Sequence, residues 1–110
     1  MVTGADVQNI ARRNFEQARA NKQADLAKTS TPAEAREVED NYEAAMAAHL
    51  ETLIAGFEAA SGNWDQLRDE AEAAETALDQ ARAKAQGAAA TITALGNLTG
   101  AVAKLVEAAK

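Results

Sequence analysis

The 110-residue sequence has no cysteine, one proline, one tryptophan, one tyrosine, one histidine and two phenylalanines. Without cysteine there are no disulfides, no thiolate nucleophile and no cysteine-bound zinc. No stretch joins β-branched residues to alternating polarity, which argues against strands. Positive charge is scarce as well: 11 Lys and Arg stand against 17 Asp and Glu, a net charge of −6. That balance lacks the basic footprint needed to release counterions from nucleic acid. The opening "MVTGADVQNIARR" has no apolar h-region of a secretory signal, so the expected location is the cytoplasm, with signal-less secretion as the alternative.

Large apolar residues are also few. Leu, Ile, Val and Phe together number 18, whereas alanine alone numbers 30. A charged chain with so little bulk borders on disorder, but alanine is the best helix former and loses no side-chain entropy on folding. The expectation is a single all-α domain over 1–110 with a thin core.

Three helix starts stand out. Thr3 with Asp6, Thr31 with Glu34 and Asn63 with Gln66 each form a capping-box pattern, and Pro32 occupies the first helical position after Thr31. Gly62 supplies a left-handed stop before the third start. These signals predict helices over about 4–28, 32–60 and 64–109.

The third helix is the longest. From Trp64 a heptad seam runs through Leu67, Ala71, Ala74, Leu78, Ala81, Ala85, Ala88, Ile92, Leu95, Thr99, Val102, Val106 and Ala109 without a change of register. Gly87 interrupts the composition but not the seam, so one continuous helix is expected; the alternative is a break near Gly87 and a monomeric four-helix bundle. The short connection at Gly62 predicts an antiparallel hairpin of the second and third helices, with Leu53 and Phe57 against Trp64 and Leu67. A helix reaching residue 109 would outrun that partner. The N-terminal helix would cover it poorly, since Leu26 is its only large apolar residue between Glu16 and Ser30.

The uncovered part coincides with a charge-free run from Ala85 to Ala103. As a membrane span it is weak. Ile92, Leu95, Leu98 and Val102 contribute roughly −2 kcal/mol of insertion free energy, opposed by Gln86, Asn97, glycines and threonines. Instead Ile92, Leu95, Leu98, Val102, Leu105 and Val106 form one apolar face, with Gly96 and Gly100 in a GxxxG pair on its shoulder. The expectation is that these six residues form an interface with another copy, giving a dimer or tetramer completed as an oligomeric helical bundle. Local charge is compatible with this: residues 1–28 carry a net +2, 33–60 a net −6 and 63–82 a net −4. A solvated charged surface explains the same distribution.

No catalytic constellation emerges. There is no phosphate loop, and no serine nucleophile stands beside a base. His49 lies on the apolar stripe of the second helix near Glu39 and Glu43, but the residue three before it is Met46, not the Glu that bundle metal sites use. No cofactor or metal is expected. The chain's size, acidity and bend tryptophan are similar to the WxG family of small helical hairpins. Here, however, the order is Gly62-Asn63-Trp64 and Tyr42 precedes the bend, so nothing is carried over. The functional expectation is a non-enzymatic structural or protein-interaction module, self-associating through its C-terminal alanine-rich helix, without nucleic acid or a membrane span. The alternative is a small-molecule or metal-binding bundle using Tyr42, Met46 and His49.

Overall fold

A computed structural model describes residues 2–54, 64–84 and 88–109. Among them are four helices and no strand: α1 (Gly4–Ala27), α2 (Pro32–Ile54), α3 (Trp64–Ala83) and α4 (Ala89–Ala109). They form an elongated bundle of 44 × 24 × 19 Å.

Hydrogen bonds between helix ends fix the directions. Gln8 Nε2 donates to the Thr52 carbonyl at 2.9 Å, setting the start of α1 beside the end of α2. The Trp64 indole N–H donates to the Ala108 carbonyl at 3.2 Å, so α3 begins where α4 ends. The Val2 amide donates to Asp65 Oδ1 at 2.9 Å, so α1 and α3 begin together. The chain therefore runs up, down, up and down. Helix α1 packs on α2 and α3 packs on α4; α4 also touches α1 and α2, and α1 touches α3. Among the described residues α2 and α3 make no contact. Around the bundle the order is thus α1, α2, α4, α3.

Local sequence accounts for the helix starts. Thr3 Oγ1 accepts the Asp6 amide at 3.2 Å and Asp6 Oδ2 accepts the Thr3 amide at 2.8 Å, a complete capping box. At α2 the Thr31 hydroxyl accepts the Glu34 amide at 3.1 Å, but Glu34 reaches one residue further back than expected. Its Oε1 accepts both the amide and the hydroxyl of Ser30, at 2.8 and 2.9 Å. The expected Asn63 cap, the Gly62 stop and residues 55–60 of the second helix lie outside the described residues.

Two expectations about the C-terminal half are corrected. The helix foreseen over 64–109 is two antiparallel helices, α3 and α4, as the Trp64–Ala108 bond requires. The seam itself is real: Trp64, Ala71, Leu78, Ala88, Leu95, Val102 and Val106 are all buried. Its partner is its own other half. A heptad repeat states which side of a helix is apolar and says nothing about where the chain reverses, so a folded-back pair and a continuous coiled coil share one pattern. Folding back wins because it covers the seam without a second chain. The expected α2/α3 hairpin is replaced by α1/α2 and α3/α4. Leu53, foreseen against Trp64, is exposed instead, and Phe57 lies outside the described residues.

The upper half of α1 solves its shortage of apolar residues with charge. Arg82 of α3 donates to both Asp25 carboxylate oxygens, at 2.7 and 3.2 Å, and its Nη1 donates to Gln17 Oε1 at 2.6 Å. Gln17 Nε2 in turn donates to the buried Asn14 Oδ1 at 3.1 Å. Asp25 is almost completely buried and Arg82 largely so, and the Lys28 ammonium meets the Arg82 carbonyl at 3.4 Å. This chain of bonds ties α1 to α3 where apolar contacts are sparse.

Breaking such a buried pair strands one charge. Arg82→Met should therefore cost about 3–5 kcal/mol in urea denaturation, and the double variant Asp25→Leu/Arg82→Met substantially less, because no unpaired charge remains. Equal losses in the two variants would show that the pair is not what holds the site. The caps give a pH dependence. The Thr3 amide and hydroxyl lower the Asp6 pKa, and those of Ser30 lower that of Glu34. A lowered folded-state pKa gives stability that is complete above the ordinary values of 3.8 and 4.5 and is lost as pH falls below them. Protection of the amides in the first turns of α1 and α2, taken as the ratio of intrinsic to observed exchange rate at each pH, should fall in that acid window, and Asp6→Asn should flatten the response in α1 alone.

Candidate interaction surface

Of the six residues foreseen as an interface, Leu95, Leu98, Val102, Leu105 and Val106 are buried in the bundle's own core. Ile92 is half-buried at its margin. The interior of the chain accounts for their burial without a second copy. By length and composition α4 could cross a membrane; here its apolar side fills the bundle.

The opposite side of α4 is open. Ala89, Ala90, Thr93, Gly96, Asn97, Gly100 and Ala103 are exposed, and no charge occurs among the residues from Ala89 to Ala103. The other helices differ. Exposed positions carry Arg12, Arg13, Glu16 and Arg19 on α1, Arg36, Glu37, Glu39, Asp40 and Glu43 on α2, and Asp65, Asp69, Glu70, Glu72 and Asp79 on α3. The sequence places its candidate interface on the large residues of α4, with Gly96 and Gly100 on the shoulder; the structure buries most of the former and exposes the latter.

The fold makes no use of those glycines. A Cβ added at Gly96 or Gly100 would meet nothing within 4 Å, yet glycine in a helix interior costs about 1 kcal/mol relative to alanine. Beside Gly96 a shallow groove of about 400 Å³ opens between α2 and α4, lined by Glu37, Asp40, Asn41, Ile92, Thr93, Gly96 and Asn97. Among the described residues no ion pair involves Glu37, Asp40 or Lys104. A second uncovered apolar patch, Leu50, Leu53 and Ile54, lies at the end of α2 at 48%, 63% and 86% exposure.

Tyr42, Met46 and His49, foreseen as an inward-facing binding cluster, are half-buried along α2. His49 stacks on Phe15 of α1 with ring centres 5.5 Å apart and planes 12° apart, and Phe15 also meets Tyr42 at 5.7 Å. Cations close the outer side: Lys22 lies 4.6 Å from the Tyr42 ring centre and Arg19 5.5 Å from that of Phe15. The α2/α4 groove does not reach this cluster, nor does a smaller groove between α1 and α3 lined by Asp6, Asn9, Ile10, Arg13, Arg68 and Glu72. His49 Nδ1 is buried without a hydrogen-bond partner among the described residues. Among the described residues no group of three metal-ligating side chains forms.

If the fold has no use for Gly96 and Gly100, alanine at either should stabilise it. Gly96→Ala and Gly100→Ala should each raise unfolding free energy by about 0.5–1 kcal/mol, measured at a protein concentration low enough that association contributes nothing. A loss of stability would show that the backbone there needs glycine. Comparison with family models, with curated proteins and with solved structures gives no match.

Proposed function

We propose that this protein is a non-enzymatic structural or protein-interaction module that self-associates through its C-terminal alanine-rich helix, using the outer face of α4. One observation carries the reading: an exposed helix face without charge from Ala89 to Ala103, in a chain of which 25% is charged. A surface of alanine, glycine and threonine lets helix backbones approach closely, so that van der Waals contact replaces the bulk the residues lack. Such side chains also lose little rotamer freedom on docking. A dimer or tetramer of closed symmetry is the assembly such a face favours.

The chemistry of the remaining surface supports a non-catalytic role. The chain's one imidazole is packed flat against Phe15. Asp6 and Glu34 serve as helix caps, and Asp25 and Glu75 are held by Arg82 and Arg13. The net charge of −6 disfavours a nucleic-acid partner. The apolar side of α4 is engaged within the bundle, so the module is read as working without a membrane span.

The test is solution mass by light scattering across a concentration series, for the natural chain and for Gly100→Gln. Glutamine suits a helix, meets no neighbour within the chain at its Cβ and adds no charge. The natural chain should associate and the variant should move toward monomer with unchanged helicity. A natural chain that stays monomeric to millimolar concentration would overturn the reading.

A further inference from the structure

We propose that two copies of this chain pair their α4 helices antiparallel about a twofold axis between Gly96 and Gly100, each seating its Lys104 in the other's α2/α4 groove. The inference rests on the reading of the outer face of α4 as the contact surface, and it goes further by naming the partner, the direction and the polar contact.

Groove, charge and register agree on this arrangement. The groove has Gly96 and Ile92 along α4, with Glu37 and Asp40 supplied by α2, so it would accept a cation and repel an anion. Neither acid is in an ion pair among the described residues, and Lys104, exposed on the same helix, is not either. Lys104 stands one helical turn beyond Gly100, and Ile92 stands one turn before Gly96. Antiparallel pairing about the midpoint of the two glycines therefore sets Lys104 of one copy level with Ile92 of the other, which is the level of the groove. A parallel pairing would set Lys104 against its own counterpart, like charge against like. The twofold axis makes the contact occur twice, so one lysine and two acids per chain specify both the partner and the direction. Between the two lysine contacts the uncharged stripe through Gly96 and Gly100 leaves no charge to be buried.

Charge exchange tests the pairing. Lys104→Glu and, separately, Glu37→Lys/Asp40→Lys change exposed side chains only and should leave the circular dichroism spectrum as it is. Each variant alone should dissociate at a concentration at least about tenfold higher than the natural chain, because each pairs like with like. Mixed in equal amounts, the two should recover association, since every groove then faces a residue of opposite sign. Sedimentation velocity on the natural chain, on each variant and on the mixture reads all of this. If the natural chain is monomeric, both this pairing and the functional reading fail. If it associates and either variant associates equally well, or the mixture shows no recovery, the outer face stands as a contact surface and the antiparallel pairing falls.

Discussion

Everything in this bundle depends on α4, the helix that carries the densest row of large buried residues. Leu95, Leu98, Val102, Leu105 and Val106 fill its interior side, and α1, α2 and α3 all pack on it. The other helices contribute fewer large residues to the interior, Val7 and Ile10 from α1, Val38 from α2, Trp64 and Leu78 from α3, set among Ala11, Ala18, Ala45, Ala48 and Ala71. Alanine buries little apolar area, so each helix alone would gain too little to hold its place. Packed on α4, those alanines allow close approach and share one apolar surface. This also explains why α2 and α3 do not touch. Both need α4, and with α1 and α4 in contact across the centre they are left on opposite sides.

The same scarcity determines where polarity enters the interior. Past Glu16, α1 has only Leu26 to offer, and the structure answers with the Arg82–Asp25 pair and its extension through Gln17 to Asn14. A buried pair adds little net stability over a well-packed apolar substitute, but it penalises any other register, since a slip would strand its charges. In a bundle whose alanine faces can slide past one another, that penalty fixes α1 against α3. Trp64 performs the corresponding task at the other end: its ring is buried and its N–H holds the Ala108 carbonyl. Asn14 Nδ2 and Thr91 Oγ1 remain buried without a hydrogen-bond partner among the described residues, each an opposing contribution of about 1–3 kcal/mol.

What the sequence made legible was local. Capping residues announced the starts of α1 and α2 because the chemistry of a cap involves neighbours three or four residues apart. The heptad seam marked the buried side of α3 and, with the apolar face through Leu98 and Leu105, that of α4, because burial follows period. The reversal between Ala83 and Ala89 was not legible for the same reason, since a period is indifferent to whether its two halves lie end to end or side by side. The pairing of helices is hidden with it: a continuous third helix makes α2 its partner and leaves the large face of Ile92 to Val106 surplus. Arg82 and Asp25 are far apart in the chain, and nothing local marks them as partners. Gly96 and Gly100 were visible as a motif, but only the fold shows that their missing side chains serve no contact inside it.

That difference between the two sides of α4 bears on how the bundle is maintained. Its inner face carries the large residues and its outer face the small ones, so the helix can serve two interfaces of different kinds. The inner one excludes water through bulk, and the outer one would do so through proximity. A domain of this length with so few large apolar residues has a modest margin of stability, and binding that favours the folded form adds to it by mass action. Association through the outer face would therefore couple assembly to folding, with alanine supplying the helices, α4 the core and concentration the remainder of the stability. The glycines fit this economy: in the isolated chain they weaken the helix, and at a close helix crossing the space they leave is what contact requires.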